Sequence, residues 1–312
     1  MKKHTKNLFY FLISLCTITL INKIIFITST IKNNLYSSNS YYYQWKFGKI
    51  FYTVQGTGKP ILLIHSLYMG SSEYEFNKLV KTLSSNHTVY TIDLIGYGRS
   101  DKPKITYTAF LYVQLINDFI TEVIKDKTDV VACSTSSSFV TMACYQNPDL
   151  FNRLLYINPI NTTTLQRNPT KKGKLLKYLL EMPILGTTIY NIASSKYIIN
   201  KNFKRKYLKK RLVKRKFINI YHESAHLQGV NNKYVYASKC NKYLNVSIDK
   251  ALLNINNSIY LLMGNNKNAE DIVNNYTELN PAIEYSYIDN ANLLPQLEKP
   301  SEVLNICNMY FC

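Results

Sequence analysis

Two stretches of this sequence bring together side chains that could do chemistry. His222, Glu223 and His226 form an H-E-x-x-H string, followed by Gly229. On a helix the two imidazoles share one face and could hold zinc while the carboxylate activates water. The place of a third ligand holds Asn232, and no Glu occurs between Glu223 and Glu270. His222 and His226 are therefore a partial ligand pair, and the same two rings could instead face a pocket. The second stretch is the serine run Ser134, Ser136, Ser137 and Ser138, broken by Thr135. Serines in a row make a helix N-cap. One of them becomes a nucleophile only if a base takes its proton. No histidine follows His226, so a base from the C-terminal part of the chain is missing.

The elements that must position these residues follow a regular rhythm. Short apolar runs near 42–46, 49–55, 60–66, 89–95, 129–133, 153–159, 258–264 and 283–289 read as strands. Helical periodicity lies between them at 72–83, 108–125, 137–146 and 301–309. Alternation of this kind predicts an α/β fold, a mostly parallel sheet with helices on both faces. The rhythm breaks at 163–245, where helical spacing continues without strands, and this segment is expected to be an inserted helical lid. The predicted organisation is thus an N-terminal segment 1–32, a core in two parts (41–162 and 246–312), and the lid 163–245 between them.

Composition supports a packed body. The 312 residues are 46% hydrophobic and 18% charged, which excludes disorder and low-complexity repeats. Lys and Arg number 38 against 19 acids, a net charge of +19. Between residues 161 and 245 lie 19 basic residues and two acids, Glu181 and Glu223, so almost all of the excess sits in the lid. Its densest part begins at Lys201 and ends at Phe217 (KNFKRKYLKKRLVKRKF). As a helix it would be amphipathic enough to lie on an anionic membrane surface, or it could be a solvated lid helix. No nucleic-acid motif accompanies the charge, and no nucleic acid is expected as partner.

The six cysteines are not spaced as a metal or redox motif and read as free thiols, Cys133 and Cys144 in apolar stretches, Cys307 and Cys312 exposed. At the N-terminus Lys2, Lys3 and Lys6 precede apolar residues from Leu8 to Ile31, interrupted by Asn22 and Lys23. With Lys23 snorkelling this run reaches across a bilayer. It reads as an uncleaved single-pass signal anchor, its basic flank cytoplasmic and the body outside.

Ordered motifs then give the chain a recognisable profile. ILLIHS at 61–66, SSEYEF at 71–76, YTIDLIGYGRSDKP at 90–103, the serine-rich turn after DVVAC, and LLPQLEKPSEV at 293–303 resemble the alpha/beta-hydrolase fold superfamily, in its capped, esterase- or lipase-like members. The resemblance covers residues 41–312 apart from the lid. It implies a serine on a sharp strand-to-helix turn with small neighbours. Ser134, flanked by Ala132 and Ser136, is the candidate nucleophile; a shift of two residues would make it Ser136. The oxyanion hole would use the backbone N–H groups of Leu67 and Thr135. Ser66 stands where the family usually has glycine.

The rest of the implied triad is degraded. The family's histidine place holds Leu293, and the acid place after Gly264 holds Lys267 and Asn268; the alternative acid place holds Asn161. The implied protein is a hydrolase scaffold without standard Ser-His-Asp chemistry, requiring no cofactor, with a lidded pocket for a lipid-like or small apolar ligand, ester included. The alternatives are a working serine hydrolase with an unconventional base and, further off, a zinc hydrolase through His222 and His226.

Overall fold

The computed structural model describes residues 3–35 and 39–311. Among them eight strands form one sheet: β1 (Tyr41–Trp45), β2 (Gly48–Gln55), β3 (Lys59–Ile64), β4 (His87–Ile92), β5 (Thr128–Cys133), β6 (Phe151–Ile157), β7 (Ile259–Gly264) and β8 (Glu284–Ile288), in the order β1-β2-β4-β3-β5-β6-β7-β8. β1 and β2 form an antiparallel hairpin closed by the pair Trp45 and Gly48, and β2 runs antiparallel to β4; from β4 to β8 every pairing is parallel. Every run expected as a strand is one.

The central strands are apolar on both faces because helices cover both. Along β3, Leu62 and Ile64 enter the core that contains Tyr112 and Phe139, while Ile61 and Leu63 enter the opposite one with Phe76 and Val303. β5 divides likewise, Val130 and Ala132 on one side and Val131 and Cys133 on the other. Because β3 and β5 run parallel, the loops that follow them leave at one edge of the sheet, the edge where open α/β sheets place their sites.

The turn after β4 shows how local chemistry shapes that edge. The buried Asp93 accepts from the backbone N–H of Glu73 (2.6 Å) and of Arg99 (2.8 Å), and the Arg99 guanidinium pairs with Glu73 and with Asp93. Gly98 (φ +52°) packs so tightly on the Asp93 carboxylate that a Cβ would collide with it. Glycine is required there for space and for conformation. The same anchoring divides the expected helix 72–83 into a 3-10 turn, Glu73–Phe76, and a short helix, Val80–Leu83. The expected helix 108–125 is α-helical over Ala109–Phe119 and ends in a wider turn, Ile120–Ile124, that Lys125 closes at φ +61°.

Between β6 and β7 the chain builds a helical insertion whose main helices are Lys171–Glu181, Ile184–Ala193, Lys196–Lys206, Arg215–Ser224 and Asn232–Cys240. The basic stretch expected as one amphipathic helix is not continuous. It runs from the end of helix Lys196–Lys206 through a 3-10 turn (Lys210–Leu212) into helix Arg215–Ser224. Packing explains the break: Phe203 and Tyr207 are buried with Tyr221, Leu294 and Leu297 in a separate small core that joins the insertion to the sheet, with Phe217 against it. Those aromatics hold the insertion down and do not form a free apolar face. Cys307, expected exposed, is fully buried on the C-terminal helix (Pro300–Phe311); Cys312 lies outside the described residues.

The N-terminal residues form one helix, Lys3–Thr30. Its polar interruption is used. The buried Asn22 side chain donates to Thr188 Oγ1 (3.0 Å) and accepts from Asn191 Nδ2 (2.8 Å), and Phe26 stacks on Tyr190, so the last turns dock on helix Ile184–Ala193. Leu8, Phe9, Phe11, Leu12 and Leu20 remain exposed.

Candidate active site

The elbow between β5 and helix Ser136–Gln146 is built on Ser134. Its φ is +55°, a left-handed conformation that costs an L-residue about 1–2 kcal/mol. Its N–H, bonded to Ile157 O at 2.9 Å, keeps it there, and Ser137 N–H returns to Ser134 O at 3.2 Å. The neighbouring hydroxyls have structural tasks. Ser136, with no exposure, donates to His65 O at 2.6 Å; Ser137 donates to Ala132 O (3.2 Å) and Ser138 to Thr135 O (2.8 Å). Ser136 therefore ties the elbow to the loop after β3 and does not present a nucleophile. Ser134 alone of the four keeps its hydroxyl off the backbone; its partner is the Tyr68 hydroxyl at 3.4 Å.

The backbone N–H groups of Leu67 and Thr135 find no protein acceptor among the described residues. Two unpaired donors beside an elbow serine, one at the start of a helix, are what an oxyanion needs. Ser66, in the place of glycine, is absorbed by a buried carboxylate: Glu75 Oε2 accepts from Ser66 N (3.1 Å) and Ser66 Oγ (2.7 Å), and Glu75 Oε1 accepts from Gln296 Nε2 (2.7 Å). The Cys133 thiol is pushed well above its usual range by burial and by Glu75, so it stays protonated and inert.

Amides tie together the loops after β6, β7 and β8. Asn158 (φ +44°), at the end of β6, accepts from Gly264 N (3.0 Å) and Asn266 Nδ2 (3.3 Å) and donates to Asn292 O (3.0 Å). This network joins the loops that carry Lys267, Asn268 and Leu293, and Leu293 N donates to Lys206 O at 3.0 Å. Asn161 caps the helix Thr162–Leu165 and donates to Asp271. Nor does another histidine serve Ser134. Leu94 N–H donates to His65 Nε2 (3.1 Å), which leaves the ring proton on Nδ1, donated to Ser66 O (2.6 Å).

Of the H-E-x-x-H residues, the two imidazoles lie together, their ring centroids 4.4 Å apart, but the carboxylate is engaged elsewhere. Glu223 turns away to receive Asn34 Nδ2 and Leu35 N. The His226 ring engages His222 O (2.6 Å) and Ser194 Oγ (3.2 Å) and lies against Phe26. Among the described residues no cluster of three metal-ligating side chains forms around them.

Sequence reasoning missed the residues that roof the serine. A cavity of about 270 Å³ lies under the insertion, with Tyr97, Tyr190, Ile198 and Val235 in its walls. Tyr68 lines it and stands between it and Ser134, which is not part of the wall. Burial pushes the Tyr68 phenol up to about 12, against the Ser134 hydrogen bond. Two lysines reach the same ring, Lys206 Nζ 3.3 Å and Lys239 Nζ 5.2 Å from its centroid. Lys206 is pulled down to about 7 by burial first, then by Lys239, with Glu75 opposing; Lys239 is pulled down to about 8 by burial, with Cys240 opposing. Lys206 sits over the ring face, where it cannot draw a proton from Ser134 through the phenol oxygen. Their only sequence signal is membership of a lysine-rich stretch.

Comparison with known proteins agrees with this geometry. A family model for the alpha/beta hydrolase fold matches residues 59–181. An uncharacterized protein of Mycobacterium tuberculosis is 29% identical over 107 residues, 34% of this chain and 31% of the relative. A soluble epoxide hydrolase of Corynebacterium is 27% identical over 112 residues, 36% and 38% of the two chains. These matches span roughly a third of the relatives' length. Among solved structures, a serine hydrolase involved in carbazole degradation superposes with a TM-score of 0.72 at 15% identity, covering 87% of this chain and 98% of that one. A strained elbow serine at the C-terminal edge of this sheet, the family model over residues 59–181 and the superposition agree on one conclusion: the chain has the alpha/beta-hydrolase fold.

Proposed function

We propose that this protein is a membrane-anchored, hydrolase-like binding protein: the helical insertion acts as a lid over a pocket for a lipid-like or small apolar ligand, and standard triad catalysis is lost. The observation that carries the reading is the surroundings of Ser134. Its side-chain partner is a neutral tyrosine, and Leu293, Lys267 and Asn268 stand where base and acid would be. A serine triad without its base loses roughly six orders of magnitude in turnover. The helix Lys3–Thr30 supports the anchor: residues 6–30 are apolar and long enough to cross a bilayer. The basic lid then faces an anionic surface, with the body outside.

The second reading, a working serine hydrolase with an unconventional base, is favoured by the strained Ser134 and the unpaired N–H groups of Leu67 and Thr135. One experiment separates the two. The full chain in detergent is exposed to a fluorophosphonate probe beside Ser134→Ala and Ser136→Ala. No labelling, where a control serine hydrolase reacts, is the expected result. Labelling of the wild type that vanishes in Ser134→Ala establishes an activated serine and overturns the binding-protein reading.

A further inference from the structure

The cavity under the insertion has two features that do not belong together in an empty apolar pocket: walls of Tyr97, Tyr190, Ile198 and Val235, and two ammonium groups. Lys206 comes from the end of helix Lys196–Lys206 and Lys239 from helix Asn232–Cys240, and both line the space. Among the described residues neither forms a salt bridge. Lys239 Nζ donates to Leu67 O, whereas Lys206 has ring faces, of Tyr68 and Phe203, and no acceptor. The nearby carboxylate, Glu75, already receives Ser66 and Gln296. Burying like charges side by side without a counter-ion is costly, and an anion between them removes the cost. With Glu75 below, the surplus is a single positive charge.

We propose that the cavity binds an apolar monocarboxylate, its carboxylate held between Lys206 and Lys239 above the Tyr68 ring and its hydrocarbon part against the aromatic and aliphatic walls. The volume equals that of about nine waters, which suits a short or medium acyl chain or one aromatic ring. This deepens the binding-protein reading by assigning the ligand a charge. It does not depend on whether Ser134 reacts.

The pH dependence follows from the same groups. The charged and titratable neighbours are Lys206, Lys239, Glu75, Tyr68, Tyr207 and Cys240, with the phenols of Tyr97, Tyr190 and Tyr236 in the walls. Burial lowers both lysines, so each is partly neutral near pH 7–8 in the empty pocket. A bound carboxylate favours the charged forms, and proton uptake then accompanies binding. Affinity is highest on the acid side of this window and falls as pH rises through it.

The test is calorimetric titration of the full chain in detergent with hexanoate, hexanamide and acetate. Hexanoate is expected to bind saturably and at least tenfold more tightly than the other two, to lose tenfold or more in Lys206→Gln and in Lys239→Gln, and to keep affinity within about threefold in Lys206→Arg, which also shows that the site tolerates substitution. Equal affinity for hexanoate and hexanamide would overturn the proposal in favour of an uncharged pocket. Equal affinity for acetate would reduce it to a general anion site, and an unchanged Lys206→Gln would remove the lysine from it. Fluorophosphonate labelling of Ser134 alongside intact hexanoate binding would defeat the function proposed above and leave this site standing.

Discussion

At Ser134 the chain makes a sharp, left-handed elbow, and the hydroxyl's side-chain partner there is Tyr68. The left-handed backbone there is sustained by the bonds to Ile157 and Ser137 and by the bond from Ser136 to His65, so the strain is maintained by structure whether or not chemistry follows. The two serines should therefore respond oppositely to substitution. Ser134→Gly relieves the positive φ and loses only a long contact to Tyr68; a stabilisation of about 0.5–1 kcal/mol is expected. Ser136→Ala leaves the His65 carbonyl without its donor in a fully buried place, at a cost of about 2 kcal/mol. Urea unfolding of both variants decides it: a destabilised Ser134→Gly would mean that the hydroxyl contributes more than its geometry suggests. The elbow serine was legible in the sequence to within two residues, because small residues flank Ser134 and Ser136 alike. The roof of Tyr68, Lys206 and Lys239 was not, because Tyr68 is far from the two lysines in the chain and the lysines look, one by one, like ordinary surface charge.

At the scale of elements, alternation and apolar runs located every strand, since burial on one or both faces leaves a periodic mark in sequence. Helices were less legible where a polar anchor intervened. Asp93 and Glu75 broke the helix expected at 72–83, and the aromatic residues Phe203, Tyr207 and Phe217 broke the one expected through the basic stretch, because tertiary packing outweighs local periodicity. Helix Arg215–Ser224 carries its own prediction. Burial first, then the charges of His226 and Lys196, pull the His222 imidazole down to about 3, and burial also lowers His226 against the bond to His222 O. In the unfolded chain a histidine titrates near about 6.5. A folded pKa below the unfolded one means that this contribution to stability is complete above about pH 6.5 and is lost as pH falls toward 3. Unfolding midpoints measured from pH 7.5 to 4.5 should fall, and His222→Gln should flatten the fall; an identical slope in the variant would place the acid sensitivity elsewhere.

At the scale of the molecule, the N-terminal helix packs directly on the helical insertion. An anchor that merely tethered the body would leave the body's surface complete without it. Here Asn22 enters the hydrogen-bonding of Thr188 and Asn191, and Phe26 lies on Tyr190 and His226. Tyr190 in turn lines the cavity and donates to Ala225 O at 2.6 Å. The helix is about 42 Å long at 1.5 Å per residue, and the part before Asn22 matches the roughly 30 Å of a bilayer core. If this helix is the proposed anchor, its docked end holds the helical insertion close to the membrane surface. Phe26→Ala should create a void between anchor and lid and lower stability by about 3 kcal/mol, near the lower end for a buried phenylalanine because the interface can partly collapse. Phe9→Ala, on the exposed part, should change stability in detergent by less than about 0.5 kcal/mol. Hydrogen exchange in the same variants locates the effect. Faster exchange in helix Ile184–Ala193 with the sheet unchanged is the result expected of a lid fastened by its anchor. Uniform exchange across lid and sheet would mean that the two unfold together and that the anchor has no private hold on the pocket.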